Sequence, residues 1–234
     1  MRQNNLQSGN TKRYIKYAIG EIFLVMIGIL LAVQINNWNE DRKTENELKN
    51  ILKTISSDLQ RDTLVAKSVI QLYDSIEVNS TRVINRQITA DNHENYPMLR
   101  SLASVYSPYS IQTKGYEMLK RYSNKNEIQN DTLISSITQF YVPYLQIITD
   151  NNQMIKKEVL ENIDDFKTKP WFVDWTQGKV SKEMIAYFTE SDDYRKKVAA
   201  NLIFAVRNHK QVVSSYKKNA AELIKGIQSK IQED

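Results

Sequence analysis

Few residues in this 234-residue chain could carry chemistry, and their spacing argues against most reactions. Asp164-Asp165 and Asp192-Asp193 are the obvious places to look for a general acid and a general base. Neighbours on a helix point in different directions, so neither pair would bring two carboxyls to one substrate. Solvated or helix-capping acids are the expectation instead. There are two histidines, His93 and His209, and no cysteine. This removes disulfides, thiolate nucleophiles, Cys-based zinc and multi-histidine metal sites together. His93 lies in a polar stretch. His209 falls on an apolar stripe, where a packed, hydrogen-bonded ring is expected. Walker and dinucleotide glycine motifs, G-x-S-x-G and H-E-x-x-H do not occur. No catalysis, no cofactor and no metal is expected from this inventory.

Two features point to contact rather than reaction. Trp171-Phe172-Val173-Asp174-Trp175 places three large aromatics within five residues. Trp171, Phe172 and Trp175 are partner-binding candidates, because exposed aromatics anchor interfaces. They would serve equally to plug the end of a helical bundle, because large aromatics also dominate cores. The second feature is Glu21, an ionisable residue inside an apolar run. It is a functional candidate by default, with snorkelling toward Lys16 or Lys12 as the plainer alternative. Gly28 and Ala32 in the same run form a small-xxx-small pair that would let another helix approach closely.

The elements that must carry these residues are helices. Glycine and proline number only 6 and 4, and helix interiors tolerate neither. Tyr17 to Ile35 is apolar apart from Glu21, Gln34 and its glycines. At 1.5 Å per residue, 19 residues reach about 28 Å, close to the roughly 30 Å hydrocarbon core of a bilayer. The ten Ile, Leu, Val and Phe residues from Ile19 to Val33 favour insertion by roughly 3–6 kcal/mol, and one acid near the end costs at most about 3 kcal/mol. Arg2, Lys12, Arg13 and Lys16 precede it with no acid, which keeps the N-terminus inside. Trp38 sits just beyond it as an interfacial anchor. The competing reading is a cleaved signal peptide. The long apolar stretch and the lack of an A-x-A-like site before Asn36 favour an uncleaved signal anchor. Beyond Ile35 there are 28 basic and 26 acidic residues, so the basic balance belongs to the tail and nucleic acid is not an expected partner.

The stretch Tyr17–Glu40, YAIGEIFLVMIGILLAVQINNWNE, resembles the opening of an uncharacterised family of single-span inner-membrane proteins of Bacteroidota. Three later segments add to the resemblance: Gly115-Tyr116-Glu117-Met118-Leu119-Lys120, then Asn130-Asp131-Thr132-Leu133, then Phe140-Tyr141. Where such members read S-G-N-L between two helices, this chain reads Ser123-Asn124-Lys125-Asn126, without the helix-ending glycine. The resemblance implies a periplasm-facing helical protein. It brings no activity and no functional residues.

After the span, positions four and three apart from Leu48 through Leu52, Ile55, Leu59, Asp62, Ala66, Val69, Tyr73, Ile76, Ser80 and Val83 to Gln87 form a heptad-like seam. It would pair within the body or with a second copy. Short helices are expected at Met98–Tyr106 and Gln112–Ser123, with a polar turn at Asn124–Asn130. Asp131 should cap a long helix whose apolar side includes Leu133, Ile137, Phe140, Tyr144, Ile147, Met154, Ile155, Val159, Ile163 and Phe166. Lys167–Val180 reads as a loop, Lys182–Phe188 as one or two helical turns, and Ser191 as the cap of a last long helix.

The fold class expected is therefore all-α: an N-terminal transmembrane helix continuing into an elongated periplasmic helical bundle with coiled-coil-like long helices. Residues 1–16 form a basic cytoplasmic tail, 17–35 the span, and 36–234 the periplasmic domain. The expected role is a membrane-anchored interaction or scaffold module. Its partners would be the lipid bilayer and either another envelope protein or a second copy. A ligand-sensing bundle that signals through a membrane partner is the alternative.

Overall fold

The computed structural model describes the backbone of residues 5–126 and 131–233, and the side chains of 14–125 and 131–232. Among these residues every regular element is helical. They are α1 (Asn5–Ile84), α2 (Lys114–Asn126), α3 (Thr132–Phe166), α4 (Phe172–Thr176), α5 (Lys182–Glu190), α6 (Asp192–Asn201) and α7 (Gln211–Glu233). Two 3-10 turns, His93–Asn95 and Leu99–Ser101, interrupt the connector between α1 and α2. A π-helical segment, Leu202–Lys210, joins α6 to α7. Arg2, the side chains of Lys12 and Arg13, and the Glu127–Asn130 part of the expected turn lie outside the described residues. The chain divides into two compact units, residues 1–50 and 51–234, and α1 belongs to both.

In the first unit, α1 is long and apolar enough to cross a membrane, with a mean hydropathy of 2.4 over its most apolar stretch. Its large apolar side chains from Tyr14 to Ile35 are exposed all round. A helix apolar on every face needs an apolar surrounding rather than a core on one side.

In the second unit, α1 changes character. Leu52, Ile55, Leu59, Asp62, Ala66, Val69, Tyr73, Ile76, Ser80 and Val83 are all buried, so the heptad-like seam closes within the chain's own body. Gln87, expected at its end, is exposed. The helix stops at Ile84 because Arg86 adopts a left-handed conformation, φ 56°. The Arg86 and Gln87 amides then bond back to the Val83 and Arg82 carbonyls at 3.0 and 2.9 Å. This is the usual C-terminal motif of a helix, with arginine where glycine is the signal.

Asp131 caps α3 as expected, accepting from the Leu133 and Ile134 amides at 2.8 and 3.0 Å, and Ser191 caps α6. The buried side of α3 is Ile134, Ile137, Tyr141, Ile148, Asn151, Ile155, Val159, Asn162 and Phe166. Ile147 and Met154, expected on it, are exposed. The stripe is turned because two of its core positions are asparagines. Asn162 earns its place by donating to the Ala103 carbonyl at 2.9 Å. The expected helix at Met98–Tyr106 is only the Leu99–Ser101 turn, and the expected loop at Lys167–Val180 contains α4. α2 begins at Lys114 and runs to Asn126, through the first residues of the expected turn.

The connector between α1 and α2 is mostly irregular, yet it lies in the core: Leu99, Leu102, Ala103 and Tyr109 are all buried. A buried irregular segment must find partners for its backbone groups. Here they are side chains on the helices. Tyr194 Oη donates to the Leu99 carbonyl, Asn201 Nδ2 to Leu102 and Asn162 Nδ2 to Ala103. Tyr73 Oη donates to the Ser107 carbonyl at 3.1 Å, and Asn152 binds both the amide and the carbonyl of Tyr109.

Candidate functional site

The most perturbed carboxyl among the described residues is Asp62, with Asp58 one turn before it on α1. Asp62 accepts the Gln112 amide at 2.9 Å and the Tyr216 hydroxyl at 2.8 Å through Oδ2. Asp58 Oδ2 accepts the Gly115 amide at 2.8 Å. Asp58 thus caps the start of α2, supplying from another helix an acceptor that its first amides lack, while Asp62 holds the connector residue Gln112 just before it. Tyr109 Oη completes the cluster by donating to the Asp62 backbone carbonyl at 3.1 Å. Gly115 is required at this crossing: a Cβ there would stand 2.6–2.8 Å from Ile55 Cγ1, N and Cα.

Asp62 is 2% exposed. Burial pushes its pKa up to about 6; the charge of Asp58 adds to this, while the Tyr216 and Gln112 hydrogen bonds and Arg61 oppose it. Burial, together with the nearby Asp62 charge, also raises Tyr109, Tyr141 and Tyr216. A shift from about 4 to about 6 stabilises the fold fully below the unfolded value, and this contribution is lost as pH rises through about 6. At pH 8 the ionised Asp62 is held against a cost on the order of 3 kcal/mol. We therefore expect Asp62→Asn, which keeps an acceptor for Gln112, to be at least as stable as wild type at pH 8 and to flatten the stability profile between pH 4 and 7. Denaturant melts of the detergent-solubilised chain across that range check this; an unchanged profile would show that Asp62 is not the titrating group. Neither Asp58 nor Asp62 borders the clefts described below, and both carboxylates are occupied by their own chain's amides. Their work is to hold α1, α2, the connector and α7 together.

His209, on the π-helical segment, is fully buried. Burial lowers its pKa to about 4, partly opposed by the Ser107 backbone. By geometry neither ring nitrogen has a hydrogen-bond partner. The ring meets Tyr73 edge-on at 5.7 Å. It is packed as the sequence suggests, but without the hydrogen bond expected of it.

The aromatic pentapeptide divides. Trp171 is 4% exposed and packs on Phe166, Tyr187 and Phe188 at ring separations of 5.6, 4.9 and 5.0 Å. Phe172 and Trp175 are half-buried, and Val173 between them is 62% exposed. Beside this aromatic cluster the connector and α5 enclose a groove of about 320 Å³. Its floor is Leu99, Met184 and Phe188, all buried; its rim includes His93, Glu94 and Arg100. Nothing in the sequence marks this groove, because it exists only once the connector is folded onto α5. A second cleft, of about 480 Å³, lies between α3 and the π-helical segment, with Tyr144, Ile147 and Arg207 among its walls. Among the described residues no three His, Asp or Glu side chains converge as a metal site would require.

In the first unit, Glu21, Gly28 and Ala32 fall seven and four residues apart, on one face of α1. A Cβ at Gly28 would meet nothing within 4 Å, and Trp38 is 65% exposed.

The chain belongs to the family of unknown function DUF6090, which it matches over residues 21–193. That stretch takes in most of the apolar part of α1, the Asp58–Asp62 cluster, Gly115 and the aromatic pentapeptide. No curated protein and no solved structure matches the chain.

Proposed function

We propose that this DUF6090 protein is a membrane-anchored helical interaction module. Tyr17–Ile35 spans the inner membrane, residues 1–16 lie on the cytoplasmic side, and the body from residue 36 works in the periplasm. No catalysis is part of this reading. The observation that carries it is that one helix, α1, bears both the exposed apolar stretch and the buried seam on which the body is assembled. A body built on its own anchor is suited to act at a membrane. The Glu21, Gly28 and Ala32 face would pack against the span of a partner or a second copy, since small residues allow close approach in lipid. Phe172, Val173 and Trp175 offer the body's contact surface, with Trp171 as their support. In-cell crosslinking followed by purification of the tagged full-length chain from its own membranes should recover one specific envelope protein or a homo-oligomer. Recovery of the uncrosslinked monomer alone would contradict the module.

One observation favours a second reading, ligand sensing: the groove floored by Leu99, Met184 and Phe188. Its size lies at the lower end for small-molecule sites, which run from roughly 300 to 1,000 Å³.

A further inference from the structure

We propose that the groove between the connector and α5 binds a single apolar α-amino acid, its side chain on the Leu99–Met184–Phe188 floor, its carboxylate on Arg100 and its ammonium on Glu94. The inference rests on the ligand-sensing reading and names the ligand class for it.

Several other cations of the body are neutralised within the fold. Arg86, Arg195, Lys169, Lys197 and Lys210 are each paired with a carboxylate. Arg100 and Glu94 both line the groove, and neither has an ion-pair partner among the described residues, including each other. Each stands on its own short turn: Glu94 on His93–Asn95 and Arg100 on Leu99–Ser101. The second turn is fixed from behind, because Tyr194 Oη donates to the Leu99 carbonyl. Tyr96, also on the wall, is backed by the Arg82 guanidinium 5.3 Å from its ring centre. Arg100 is thus presented on a held backbone, and a guanidinium is suited to grip a carboxylate with two parallel hydrogen bonds.

A ligand that met only the floor would leave the half-buried Arg100 without a partner as it displaced its water, which is costly, and would gain nothing from the exposed Glu94. An anionic amphiphile would satisfy Arg100 and face Glu94; a cationic one would do the reverse. A zwitterion with an apolar side chain satisfies both and fills the floor, and a groove of about 320 Å³ suits one residue rather than a peptide. Phe188 ties the site to the rest of the fold. Its other neighbours include Trp171 and Tyr194, at ring separations of 5.0 and 4.7 Å, so an occupied groove would brace the aromatic cluster.

The test uses the full-length protein in nanodiscs, titrated calorimetrically with L-leucine and L-phenylalanine. The probes for each charge are 4-methylpentanoate, which lacks the ammonium, and 3-methylbutylamine, which lacks the carboxylate. The expected result is binding of an amino acid at least tenfold tighter than either truncated analogue. Arg100→Ala should abolish it, and Glu94→Gln should weaken leucine while bringing 4-methylpentanoate up to leucine's level. Both substitutions lie at the rim, and an unchanged circular dichroism melt confirms folding. No binding of either amino acid, equal binding of the analogues, or full binding by Arg100→Ala would each overturn the assignment. Failure of sensing itself reads differently: a broad small-molecule thermal-shift screen would also be flat. A screen hit whose binding Met184→Trp removes, while amino acids stay silent, would keep sensing and sink the amino acid.

Discussion

Gly115→Val should prevent stable folding of the body, and Gly115→Ala should cost at least about 3 kcal/mol, the upper end of ordinary overpacking. The reason is that the new atom would meet the backbone of Ile55, at 2.7 Å from N and 2.8 Å from Cα, as well as Ile55 Cγ1. A side chain tip could swing aside; a helix backbone cannot move without shifting the whole seam. Ile55 is fully buried, and the next turn of α1 carries Asp58, which receives the Gly115 amide. Pushing α2 away from α1 would therefore break that bond, and with it the Gln112 bond to Asp62. Denaturant unfolding of the solubilised chain, followed by tyrosine and tryptophan fluorescence, measures the loss. A Gly115→Ala protein as stable as wild type would mean that the two helices do not cross so closely.

Trp171→Ala should destabilise the body by about 3–5 kcal/mol, the usual cost of emptying a buried tryptophan site. Trp175→Ala should cost about 1 kcal/mol or less, because that ring is half-buried. Trp171 touches Phe166, Tyr187 and Phe188, so its removal leaves a void at the centre of an aromatic cluster. Trp175 touches Phe166 and Phe172 at 5.7 and 5.8 Å. The two substitutions also separate support from contact: Trp175→Ala should weaken the crosslink to a partner in a protein that still melts normally. Equal melting curves for the two variants would remove the distinction.

Most of the helical framework could be read from the sequence, because it rests on periodicity and caps. The seam from Leu52 to Val83 shows its four-three spacing plainly, and Asp131 and Ser191 are the residue types that start helices. What remained hidden has one physical cause: polar residues in the core serve a segment that has no periodicity. Asn162, Asn201 and Tyr194 are buried to satisfy the carbonyls of the connector. On α3 the buried Asn151 and Asn162 register on a sequence as interruptions of an apolar stripe, and Ile147 and Met154 are expected inside but lie outside. Asp62 was legible as a seam position, but not as the acceptor for Gln112, a connector residue 50 positions away. The end of α1 at Arg86 escapes for a similar reason, since no glycine announces the left-handed turn. The groove is the least legible feature, assembled from two turns and the face of α5. In the apolar stretch of α1, Glu21, Gly28 and Ala32 are candidates by their types and spacing alone.

Action at a membrane requires that α1 stay in one piece from the apolar stretch into the seam. The direct measurement is the intact mass and N-terminal sequence of the protein recovered from carbonate-washed membranes, with protease added to spheroplasts in parallel. We expect the full 234-residue chain in the membrane fraction, its body digested once the outer membrane is opened. A soluble chain beginning near Asn36 would contradict the anchor, and with it the proposed role.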